Sequence, residues 1–144
     1  MNKDIVSFTT AERLFELLFD EDTKYYYTPE GKLVTNESRE FDYTTAIGAP
    51  RIYDAMLWML QHYDTIVETR ADTTMMSDGS EIIEYYAIVD DITHGYTLRG
   101  GIVGRTDRHE DYTSALAEGV DIAAKYLYDR YEKPQKEHQN EKTS

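Results

Sequence analysis

Two helix signatures, at residues 49–60 and 112–120, constrain the fold of this chain more than any other feature. In the first, Pro50 suits the opening helical position, where no intrahelical bond needs its missing N–H. Ile52, Ala55, Met56, Met59 and Leu60 then recur at helical spacing, with Trp58 off the centre of the stripe, at the edge of the core. In the second, the Asp111 carboxylate can cap the first turn. Tyr112, Leu116, Gly119, Val120, Ala123 and Leu127 form a buried stripe that continues toward Tyr131. Gly119 in mid-helix costs roughly 1 kcal/mol relative to alanine. A tight crossing over a sheet or another helix would account for its use.

The segment between the signatures reads as three strands, at 65–76, 81–91 and 96–106. Asp78-Gly79 and His94-Gly95 mark the connections. Ile82 to Val89 is the most apolar run and is expected at the centre, while Gly100, Gly101 and Gly104 suggest a bulge or a close backbone approach in the third strand. Upstream, Thr9 and Glu12 have capping-box spacing ahead of an apolar stripe of Leu14, Phe15, Leu18 and Phe19, which predicts a helix over 9–19 that stops before Asp20-Glu21-Asp22. Tyr25-Tyr26-Tyr27 and Lys32-Leu33-Val34 flank a Pro29/Gly31 turn as in a hairpin, and 36–45 reads as loop with a short extended piece at 41–43. The expected fold is α+β, in the order α-β-β-α-β-β-β-α, with helices on one face of a mainly antiparallel sheet. It forms a single domain over 1–133. Residues 134–144, polar and without periodicity, read as a disordered tail.

At 144 residues the chain can bury one sizeable core. The absence of a long apolar run argues against a membrane span, and residues 1–8 lack a secretory signal, so a cytoplasmic location is expected. The chain has no cysteine, and with it no disulfide or thiolate chemistry. A formal net charge of −13 disfavours direct nucleic-acid binding and association with anionic membranes. It favours a basic partner, or serves solubility alone.

Several segments together resemble a group of small uncharacterised proteins of Bacteroidetes-type bacteria and their phages and mobile elements. Leu14 to Asp22 followed by Tyr25-Tyr26-Tyr27 and Gly31-Lys32-Leu33 resembles the group's opening helix and hairpin. Ala49-Pro50, Asp54-Ala55 and Trp58-Met59 resemble its A-P-x-x-x-E-A-x-x-W-L middle helix, with Asp54 and Met59 departing from the pattern. Tyr112, Ala115-Leu116, Glu118-Gly119-Val120 and Ala123 resemble its Y-x-x-A-L-x-x-G-[IV]-x-x-A closing helix. The resemblance covers roughly residues 9–128 and implies a phage or mobile-element setting but no activity.

No catalytic constellation stands out, and no cofactor or metal site is expected. His62-Tyr63-Asp64 and His109-Glu110-Asp111 mix imidazole with carboxylates, yet they lie at element boundaries where turn and cap roles suffice; His94 sits in the second strand connection and His138 in the polar tail. Asp90 and Asp91, adjacent in a strand, point to opposite faces. Ser77, Ser80 and Ser114 lack a nucleophile elbow, and Gly100–Gly104 lacks the Walker lysine. Thirteen tyrosines are many for this length; on an uncovered sheet face they could stack a ligand or form a subunit interface, which leaves a homo-oligomer open.

Two functions follow as expectations. The first is a non-enzymatic phage or mobile-element accessory protein that binds a host or phage protein, one with a basic or nucleic-acid-binding surface. The alternative is a module that sequesters a small ligand or nucleotide through Tyr85, Tyr86 or Tyr96 with Arg99 and Arg105. In that reading alternation sets 99, 101, 103 and 105 on one strand face, and the competing role of the arginines is pairing with Glu68 or Glu84. A metal-dependent hydrolase built on His109 is a weaker third.

Overall fold

The computed structural model describes residues 4–92 and 101–132. Helix α1 spans Phe8–Glu16, and the short strands β1 (Tyr25–Tyr27), β2 (Leu33–Thr35) and β3 (Ile47–Ala49) follow. Helix α2 covers Ile52–Tyr63, then come β4 (Thr65–Met75), β5 (Glu81–Asp91) and β6 (Ile102–Arg105). Helix α3, Tyr112–Leu127, runs into a π-helical turn at Tyr128–Glu132. The fold is α+β with antiparallel pairing throughout. Among the described residues it contains one strand more than expected, β3, and two three-stranded sheets, ordered β2-β1-β3 and β4-β5-β6. β3 is only Ile47-Gly48-Ala49, too short for a pattern of alternation to reveal it; pairing with the tyrosines of β1 defines it. The extended piece expected at 41–43 is instead turn and loop.

Helix α1 starts two residues earlier than the capping-box spacing suggests. Ser7 is the N-cap, its hydroxyl accepting from the Thr10 amide at 3.2 Å. Thr10 is fully buried, and its hydroxyl donates to Asp121 of α3. The helix ends in a Schellman motif: the Phe19 amide donates to the Leu14 carbonyl and the Leu18 amide to the Phe15 carbonyl. Helix α2 begins after Pro50, with Arg51 in the cap position and no side-chain cap. Trp58 is fully buried, not marginal; its indole N–H points to Asp20 at 3.4 Å, and Phe19 packs edge-on against its ring.

The core lies where α2 and α3 cover one face of the β4-β5-β6 sheet and α1 packs against α3 and β3, with Leu14, Ala55, Met59, Val67, Ala87, Val89, Val120, Ala123 and Leu127 at its centre. The Asp111 cap forms as expected, accepting from the Ser114 amide at 2.7 Å. The buried stripe of α3 holds from Leu116 to Leu127, but Tyr112 at its head is exposed. Gly119 sits at the crossing: a Cβ there would stand 2.6 Å from Val67 Cγ1 and 2.8 Å from Ala87 Cβ. Below it, the buried Asp91 carboxylate accepts from the Tyr126 hydroxyl and from Arg130, both at 2.6 Å, and ties the end of α3 to the central strand. Burial is also what raises the Tyr126 hydroxyl pKa, with the hydrogen bond to Asp91 adding to it.

Strand β5 is central, as its apolar run requires. Odd-numbered residues of β4 and β5 face the helices and even-numbered ones face away, because Val67, Ala87 and Asp91 meet α3. A bulge at Val89/Asp90 interrupts the β5–β6 register and breaks the alternation on which the shared face of 101, 103 and 105 depended. Val103 turns into the core, while Arg105 stands opposite Ile88 on the outer face. Gly101 allows the close approach, since a Cβ would meet the Asp91 carbonyl oxygen at 2.0 Å. The proposed tail, 134–144, lies outside the described residues.

Candidate functional site

Of the five residues the sequence singles out for a ligand, the structure brings two together. Tyr86 and Arg105 share the outer sheet face, the guanidinium 5.1 Å from the ring centroid in a cation–π arrangement. Tyr85, one residue earlier, points to the helical side and meets Tyr112 edge-on at 6.2 Å. Alternation along a strand forbids 85 and 86 from serving one site. Tyr96 and Arg99 lie outside the described residues. The outer cleft holds about 420 Å³ and is lined by Asp72, Tyr86, Arg105, Thr106, Asp107 and Arg108. Arg108 is neutralised by Asp72 at 2.7 Å, and Arg70 pairs with Glu68 at 3.3 Å along its own strand. Of the two carboxylates expected to pair with Arg105, Glu68 or Glu84, Glu68 is taken by Arg70, and Arg105 stacks on Tyr86. Arg70 was legible only through strand parity, which sets it on the outer face opposite Tyr86; Arg108, which lies past the end of β6, was expected only as a neighbour of an Arg99/Arg105 anion site.

His62 and His109 fill the structural roles expected of boundary positions, while His94 and His138 lie outside the described residues. His109 contacts Glu118 at 2.9 Å and bridges the backbone of Tyr85, while Glu118 also accepts from the Asp107 amide. His62 packs on Trp58. Asp90 accepts from the Gly101 amide on one side of the strand, and Asp91 binds Tyr126 and Arg130 on the other. No group of three or more His, Cys, Asp or Glu side chains suited to a metal is found among the described residues.

A second cleft, which the sequence reading missed, lies at the end of α1. About 320 Å³ in volume, it is lined by Phe15, Phe19, Asp20, Glu21, Asp22, Thr23, Tyr26, Tyr43, Ala46 and Gly48. Four aromatic side chains and three consecutive acidic residues converge there, and no lysine or arginine lines it. Phe15 is 56% exposed and Tyr43 87%, large values for side chains of this size. Leu18, which precedes the cleft residue Phe19 in the chain but does not itself line the cleft, is 78% exposed with φ at 67°. It occupies the position after a helix C-cap where glycine is the usual residue, because a side chain in the left-handed region costs roughly 1–2 kcal/mol. The apolar stripe of α1 concealed this cleft: Phe15 and Leu18 match the helical spacing of core positions, and only the early Schellman stop turns them outward.

Comparison of the chain with family models, with curated proteins and with solved structures finds no match. No helix among the described residues is long and apolar enough to cross a membrane.

Proposed function

We propose that this protein acts by binding another protein through the acidic, aromatic cleft at the end of α1, and that its partner presents a basic segment with an apolar anchor. One observation carries the reading: Leu18, next in sequence to the cleft residue Phe19, is 78% exposed at a backbone position where glycine would be cheaper. Strain of that kind persists where the side chain itself has a use. Phe15 and Tyr43 extend the apolar surface, and Asp20, Glu21 and Asp22 supply the field that would draw in lysine or arginine. The net charge of −13 supports the same sign of partner. Given the resemblance to phage and mobile-element proteins, the partner is a host protein, and the role is a non-enzymatic one exercised in the cytoplasm.

A photo-reactive side chain in place of Tyr43, with a matching one in place of Ile102 on the far sheet as control, tests this in host cells. The expected result is one dominant basic protein crosslinked at position 43 and not at 102, lost as salt is raised. Equal crosslinking at both positions would count against the cleft.

The stacking of Arg105 on Tyr86 beside the 420 Å³ cleft favours a second reading, capture of a planar anionic ligand such as a nucleotide. Asp72 and Asp107 in the same wall oppose it, which is why it ranks second. Native mass spectrometry of protein taken from cells would show a retained ligand that Arg105→Ala releases; an empty protein would exclude a tightly held one.

A further inference from the structure

The outer edge of β4 carries information beyond either reading. Where β4 meets the turn, the Met76 amide donates to the Ser80 carbonyl, and at the other end the Ile92 amide donates to the Asp64 carbonyl. In an antiparallel ladder hydrogen-bonded pairs alternate, so the even-numbered residues of β4 face β5 through their backbone groups. The N–H and C=O groups of Thr65, Val67, Thr69, Ala71, Thr73 and Met75 therefore point away from it. No described strand lies on that side. The edge runs unbroken over Thr65–Met75, its register with β5 continuous, without the proline, lysine or bulge that commonly blunts such edges.

The side chains along this edge are chemically palindromic about Ala71: Thr69-Arg70-Ala71-Asp72-Thr73. We infer that β4 pairs antiparallel with β4 of a second copy of this chain, centred on Ala71, to form one continuous six-stranded sheet about a two-fold axis. In that register Arg70 stands opposite the partner's Asp72 and Asp72 opposite the partner's Arg70, both in the closer, non-hydrogen-bonded pairs. Thr69 faces the partner's Thr73, and Met75, 69% exposed, comes to lie beside the partner's Val67. Sliding the centre to Arg70 or to Asp72 sets like charges face to face. Centring on Thr69 pairs Glu68 with the partner's Arg70 but drives the tip of the hairpin onto the end of α2, opposite Tyr63, and sets Ile66 against the partner's Asp72. Self-pairing about Ala71 is the one register of these that satisfies charge and shape together. It does not depend on the cleft at α1, which lies on another part of the molecule.

Sedimentation velocity of the full chain across a wide concentration range tests this. The wild type is expected to pass from 16.8 kDa to twice that mass. Ala71→Pro removes only an outward-facing N–H and is expected to abolish the dimer while circular dichroism and thermal unfolding report a folded monomer. Arg70→Asp and Asp72→Arg, each entering the two-fold interface twice, should weaken dimerisation at least about tenfold singly and restore it when combined. A wild type that stays at 16.8 kDa throughout, a dimer indifferent to Ala71→Pro, or a combined charge swap no better than its parts would each overturn the inference.

Discussion

Replacing Gly119 by alanine sets two effects of opposite sign against each other. In an ordinary helix the change stabilises by roughly 1 kcal/mol, because alanine gives up less backbone freedom. Here the new Cβ would meet Val67 Cγ1 at 2.6 Å and Ala87 Cβ at 2.8 Å. Both are roughly 1 Å inside the preferred carbon–carbon separation of about 3.5–4.0 Å. The Ala87 methyl hangs directly from the central strand and cannot swing aside, so helix and sheet must part. Overpacking of this kind costs about 1–3 kcal/mol, and two rigid contacts place it at the upper end. The balance is a net loss of about 2 kcal/mol, or about 4–8 °C in Tm for a chain of this size. Urea unfolding monitored by Trp58 fluorescence, with thermal unfolding beside it, measures the difference. The cost should shrink in a Val67→Ala background, which removes one of the two clashing groups, by a coupling of about 0.5–2 kcal/mol. A Gly119→Ala protein as stable as the wild type, or more so, would show that α3 does not cross the sheet as closely as described.

The buried Thr69 hydroxyl has no hydrogen-bond partner among the described residues, so Thr69→Val, which keeps the shape and removes the stranded group, is expected to stabilise by about 1 kcal/mol in chemical denaturation. At high pH the fold should lose stability. Burial raises the hydroxyl pKa of Tyr27 above 10.0, with Asp121 adding to it, and burial likewise raises Tyr63 and Tyr126. The unfolded chain therefore releases these protons first. The stability they contribute is intact below pH 10.0 and falls as pH rises from there through the higher folded values. Tm measured from pH 8 to 11 should drop above 10 in the wild type, and less steeply in Tyr126→Phe; parallel curves would refute the assignment. Leu18→Gly should raise stability by about 1 kcal/mol, since glycine takes the left-handed position without strain.

Much of the architecture is legible in the sequence because it rests on long periodic segments. The eleven-residue strands β4 and β5, the Asp78-Gly79 turn, the Asp111 cap and the Gly119 crossing all follow from local pattern. The elements that escaped are set by partners distant in the chain. β3 exists because β1 pairs with it, and Trp58 is buried because Phe19 and Asp20 close over it from the end of α1. The site was less legible than the fold. Tyr86 and Arg105 meet as the sequence allowed, but Tyr85 is excluded by strand parity and the bulge alters what shares a face with Arg105. The acidic aromatic cleft assembles from α1, β1, β3 and the loop carrying Tyr43, and no single window of sequence contains it.

The most direct test of the binding cleft uses Leu18→Gly, because there the effects on folding and on binding should run in opposite directions. Partner capture by the wild type and the variant would be quantified side by side, with thermal stability measured on the same preparations. If Leu18 is held in strain for recognition, the variant is more stable yet retains at least about tenfold less of the basic partner. A variant that gains stability and captures the partner as well as the wild type would contradict the account, since the exposed leucine would then serve no recognition at all.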